Sequence, residues 1–145
     1  MGLFDLFRRR PPLRLAHPEL GELEFDARLQ CWQRDGFEFW GRNDVTLVLD
    51  ASPAGPTDAQ VAEVRRLAAA RDELLPRCLA ALGPVADDID IDPQFVVEYL
   101  HVPSLDGTPR GELANLGFDL VGDEHYIYGV QTTDRWRTLQ AHRDD

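Results

Sequence analysis

Apolar and polar residues alternate with period two over residues 22–26, where Leu23 and Phe25 face one way and Glu22, Glu24 and Asp26 the other. Successive side chains of a strand point to opposite faces, so this pattern predicts a half-buried strand. Residues 29–34 continue it, with Leu29 and Cys31 set against Gln30 and Trp32. Asp35-Gly36 follows, a pair that accepts the positive φ of a tight hairpin, and Phe37, Phe39 and Trp40 form the expected return strand. After a turn at residues 41–44, residues 45–50 (VTLVLD) are the most strand-like run in the chain. Four strands joined by short turns predict an antiparallel meander.

The period then changes. Residues 51–56 hold two prolines and a glycine and break the sheet. Thr57 is a good N-cap, and Gln60 three residues on completes a capping box. Val61, Val64, Ala68, Leu75, Leu79 and Leu82 recur at helical spacings, which predicts a long helix over 57–82 with one apolar face. Pro76 removes the hydrogen bond to the Asp72 carbonyl and is expected to kink or split that helix.

The C-terminal half is less regular. Asp92-Pro93 can open a short helix carrying Phe95, Val96, Tyr99 and Leu100 on one face, and helix is the reading adopted for 93–101. Strand is the alternative, because 95–102 is rich in β-formers. Strands are expected at 112–121, 125–132 and 136–142. In the second of these both faces hold apolar residues, the pattern of a strand covered on both sides. The fold class is α+β: a twisted, mostly antiparallel sheet of about six or seven strands against one long helix and one short one.

Composition narrows the class of function. A chain of 145 residues fits one domain, taken as 17–145 with residues 1–16 as a tail. The net charge is −11, and it is unevenly spread. Residues 1–17 carry four arginines against one aspartate, while residues 84–145 carry thirteen acids against four arginines. With a pI near 4.7, nucleic acid is excluded as a natural partner, since phosphate binding needs a basic surface. A basic protein partner fits instead. No apolar run approaches the ~18–20 residues of a membrane span. In the N-terminal MGLFDLFRRR, apolar residues precede the arginines, the reverse of a secretory signal. The expected location is therefore cytoplasmic, and Cys31 and Cys78, in no C-x-x-C pair, read as free buried thiols.

No catalytic or cofactor motif is present: no nucleophile elbow, P-loop, dinucleotide fingerprint or zincin helix. The run Asp87, Asp88, Asp90 and Asp92 has calcium-like spacing, but an EF-hand starting at Asp88 needs Gly and Glu where Pro93 and Tyr99 stand. His125 follows two acids, yet adjacent strand residues diverge, so Glu124 and His125 make a poor acid–base pair. The candidates for protein contact are Trp32 and Trp40, the acids Asp87, Asp88, Asp90 and Asp92, and His125 with Tyr126. A tryptophan out of phase with its strand neighbours marks a binding surface wherever it is exposed.

His17-Pro18-Glu19-Leu20-Gly21-Glu22-Leu23, the Trp-bearing hairpin, Val45-Thr46-Leu47-Val48-Leu49, a Pro-rich break and a Gln-bearing helix start follow in order over residues 17–82. This layout resembles a set of small bacterial domains of unknown function, some encoded beside polymorphic toxins and read as immunity proteins. The absent catalytic motifs and the acidic C-terminal half point to a non-catalytic protein-binding module, and the resemblance implies that it is an immunity protein. A small enzyme or ligand-binding domain, with a pocket between sheet and helices near Trp32, Trp40, Tyr126 and His125, is the other reading.

Overall fold

A computed structural model describes residues 12–86, 94–104, 114–121, 127–133 and 138–144. The strands are β1 (Arg14–His17), β2 (Gly21–Asp26), β3 (Cys31–Phe39), β4 (Arg42–Asp50), β5 (Phe95–Val102), β6 (Asn115–Leu120), β7 (Ile127–Thr133) and β8 (Thr138–Asp144). Between β4 and β5 lie α1 (Asp58–Ala69), α2 (Arg71–Leu82) and a 3-10 turn (Gly83–Ala86).

All eight strands form one sheet in sequential order. Six of its seven pairings are antiparallel; β4 and β5 run parallel. Parallel neighbours need a long crossover, and the two helices are that crossover. The α+β class therefore stands, with a mixed sheet built from two four-stranded meanders. The sheet begins at Arg14, inside the segment read as a tail.

The first meander is assembled differently from the sequence expectation. Asp35-Gly36 is not a hairpin turn. It lies within the single strand β3, where the register shifts between Arg34 and Phe37 and Gly36 has φ +71°. The glycine serves a bulge rather than a reversal. The reversal falls at Trp40-Gly41, with φ of 51° and 78°, between the paired Phe39 and Arg42. Two successive positive φ values are the mark of the type I′ hairpin. The sequence expectation set this turn at 41–44, one residue late, because tryptophan is a poor occupant of that conformation. Here the indole is buried, stacks on Phe39 with centroids 4.7 Å apart, and donates from Nε1 to the Leu67 carbonyl of α1 at 2.9 Å.

The helix start is as expected. Thr57 Oγ1 accepts from the Gln60 backbone at 3.2 Å, and Gln60 Oε1 accepts from Thr57 N at 3.0 Å. The break falls at Ala70, not at Pro76, which sits inside α2. That break resets the helical phase. The buried apolar residues are Val61, Val64, Leu67, Leu74, Cys78 and Leu82, while Ala68 and Leu79 are exposed. Phe95–Val102 is strand β5, not helix, because pairing in register between β4 and β6 satisfies its backbone on both sides.

Direct strand partners share a face of the sheet, so register defines the core. Leu15, Leu23, Phe25, Trp32, Leu47, Leu49, Leu100, Val102, Leu116, Phe118, Tyr128 and Val130 all fall on the helix-covered face. They fill the space between sheet and helices. On β7, Tyr128 and Val130 point into that face, and Gln131 on the other face is exposed.

Gln60 joins the layers. It is 0 % exposed, and its Nε2 donates to the carbonyls of Asp50 at 2.8 Å, Pro103 at 3.1 Å and Val102 at 3.3 Å. The carbonyl ends of the parallel pair are thus closed by one side chain.

Candidate functional site

Strand alternation places the remaining side chains on the opposite face, on which no described element packs. Two rows cross it in register. One runs Gln33, Val48, His101, Asn115, Gln131 and Gln140; the next runs Thr46, Tyr99, Gly117, Gly129 and His142. The face is acidic. Glu22, Glu24 and Asp26 on β2, Asp35 on β3, Asp44 and Asp50 on β4, Asp119 on β6 and Asp144 on β8 all belong to it.

Its arginines among the described residues are already engaged. Arg42 holds Asp44 through two contacts of 3.0 and 2.8 Å, and Arg14 lies 3.9 Å from Glu24. The Arg42 guanidinium holds the Asp44 carboxyl below the usual carboxylate range. A shallow depression of about 940 Å³ opens over β2 and β3, lined among others by Glu22, Glu24, Asp26, Gln33 and Asp35.

Two histidine–carboxylate pairs flank the centre. His101 Nε2 lies 2.7 Å from Asp50 Oδ2, and His142 Nε2 lies 3.6 Å from Asp144 Oδ2. Between them the rings lie on glycines. A Cβ on Gly117 would fall 1.8 Å from Tyr99 Cε1, and one on Gly129 would fall 2.4 Å from His142 Cε1. Burial pushes the Tyr99 hydroxyl up, Asp144 and Glu98 push it further, and a hydrogen bond from the Asn115 side chain opposes them. Gly117→Ala should therefore destabilise the protein by about 1–3 kcal/mol, the range for overpacking a filled site. Urea unfolding of Gly117→Ala, Tyr99→Ala and the double variant measures it. The double variant should cost less than the sum of the singles; strict additivity would show that the ring does not cover the glycine.

Trp32 and Trp40 are 1 % and 7 % exposed, so neither offers its ring to a partner. Trp32 Nε1 donates to the Ser52 carbonyl at 2.9 Å, which satisfies its polar edge inside the core. Asp87, Asp88, Asp90, Asp92, His125 and Tyr126 lie outside the described residues. Among the described residues no group of three or more His, Cys, Asp or Glu is gathered to hold a metal. No helix among them is long and apolar enough to cross a membrane. Both cysteines are buried, and burial pushes the Cys78 thiol up to about 11, so at neutral pH it is a protonated core group.

Sequence reasoning missed Tyr99, His101, Asn115 and His142. Period-two alternation marks them as one face only once β5 is recognised as a strand. Comparison of the chain with protein-family models, with curated proteins and with solved structures gave no match.

Proposed function

We propose that the protein is a non-catalytic binding module whose uncovered sheet face docks a cationic protein partner; in the immunity form of this reading, the partner is a basic toxin domain. One observation carries it: among the described residues, eight carboxylates on five strands share that face, and Arg14 and Arg42 on it each lie against a carboxylate. A surface of one sign speeds encounter with the opposite sign and rejects like-charged partners.

A decalysine peptide is a suitable probe. Its affinity should fall steeply between 50 and 300 mM salt, because the exposed pairs are screened. Neutralising Glu22→Gln, Glu24→Gln and Asp35→Asn together should weaken binding by about tenfold, given the on-face loss of three attractive charges. A control triple, Asp58→Asn, Asp72→Asn and Glu73→Gln, changes the net charge equally but lies on the helices. Equal weakening by the two triples would reduce the effect to bulk charge and sink the docking face.

A further inference from the structure

The sheet ends in two edges of different kinds. β1 is four residues long, and shortness is one way in which natural sheets keep an edge from pairing with other chains. β8 is seven residues long, keeps step with β7 over its whole length without a bulge, and contains no proline. No described segment pairs with its outer side. An edge strand presents a row of unpaired N–H and C=O groups, a template for one more strand.

The core is also unfinished at this edge. α2 and the 3-10 turn lie against β8. Leu139 and Ala141 pack against the core from its side of the sheet, yet both remain only half-buried. A further strand beyond β8 would cover them.

The order of residues along β8 fits one occupant, β8 of a second copy running antiparallel. In the register centred on Ala141 all seven residues overlap. Gln140 then stands opposite His142 of the second copy, and Leu139 opposite Arg143. The first pair can hydrogen-bond, and the aliphatic stem of the arginine can cover the leucine. No charge meets its like. A parallel pairing in step would instead set Arg143 on Arg143 and Asp144 on Asp144, and like charges directly opposite are destabilising. Arg143 shares the core face with Tyr128, and an inward-pointing charge guards an edge against indiscriminate addition. The antiparallel arrangement is the one it admits.

We propose that the protein forms a two-fold dimer by antiparallel pairing of β8 with β8 of a second copy, which joins two eight-stranded sheets into one. A two-fold contact uses the same strand from both copies, so it closes at two and leaves only the short β1 edges outside. One strand edge buries less than the ~1,600 Å² of a standard interface, so the dimer dissociates at roughly micromolar concentrations. The carboxylates of β2 and β3 stay uncovered in it, so the dimer and the binding-module reading stand or fall separately.

Sedimentation velocity of the full chain over about 1–300 µM tests the dimer, with the mass rising from 16.4 kDa toward twice that value. Hydrogen exchange of the β8 amides should slow over the same range, while that of the β1 amides should not change. Gln140→Lys with His142→Lys sets lysine opposite lysine at two places and should weaken association by about tenfold or more. Gln140→Glu with His142→Glu should do the same. An equimolar mixture of these two variants sets lysine opposite glutamate at both places and should associate at least as tightly as wild type. Thermal melting confirms that each variant is folded; if either is not, exchange in the wild type carries the test. A monomer at every concentration would overturn the proposal, and so would a dimer without added protection in β8. Folded variants whose mixture stays monomeric would overturn the antiparallel register, and a mass growing beyond the dimer would overturn the closed contact.

Discussion

Gln60→Glu should be among the most destabilising single substitutions in the chain, by about 3–5 kcal/mol at pH 7, the cost of an uncompensated buried charge. The exchange alters almost no volume. It replaces an NH₂ that feeds three carbonyls with an oxygen that repels them, at a site with no solvent exposure. Gln60→Ala should cost less, about 2–4 kcal/mol, from one lost cap and two or three orphaned acceptors. The pH dependence separates the causes. Carbonyl oxygens and burial raise the new carboxyl above its unfolded value of about 4.3. Its penalty is therefore smallest where it is protonated in both states, and it grows as pH rises above the unfolded value until the folded carboxyl ionises too. Urea unfolding of wild type and both variants at pH 4.5 and 7 tests this. A Glu variant within 1 kcal/mol of wild type at pH 7 would mean that Gln60 does not bridge the strand ends.

Trp40→Ala should cost about 3–5 kcal/mol, as for other buried aromatics. The more telling result is expected from Trp40→Gly. Glycine normally ranks below alanine in ordered structure, because it loses more backbone freedom on folding. At φ 51° the order should reverse: alanine keeps the left-handed strain of about 1–2 kcal/mol and glycine does not. Stability in the order Trp40, then Gly, then Ala, measured by denaturant midpoint, is the expected outcome. Alanine above glycine would argue that the turn relaxes when the indole is removed. The native indole outweighs its own backbone strain by filling the core and bonding α1.

Much of the fold was legible wherever a single periodicity ruled. The alternation of Leu23 and Phe25 with Glu22, Glu24 and Asp26 marked β2, and the Thr57–Gln60 box marked the start of α1. Legibility failed where two local signals competed. Asp35-Gly36 has turn chemistry, yet bulge and turn ask the same of glycine, and only the pairing of Arg34 with Leu47 and Phe37 with Val45 decides between them. Residues 95–102 have apolar residues at helical and strand spacings alike, and parallel pairing with β4 settles the choice. The central residues of the uncovered face were hidden by that same ambiguity. Asn115, Gly117, Gly129 and His142 come from three strands and become neighbours only through register. Trp32 is out of phase with Leu29 in the sequence, but Leu29 stands in the turn before β3, and it is the exposed one of the two.

The parallel contact between β4 and β5 also divides the molecule in time. Each meander pairs residues close in the chain, whereas Leu47 meets Leu100 from more than fifty residues away. Closing that loop loses entropy before any contact offsets it, so this pairing is the slow event that topology imposes. Until it happens, β4 and β5 each expose an unpaired edge rich in β-branched and aromatic residues, the kind of edge that invites association with other chains. Gln60, which touches β4, Val102 and Pro103 at once, can engage fully only when that step is complete.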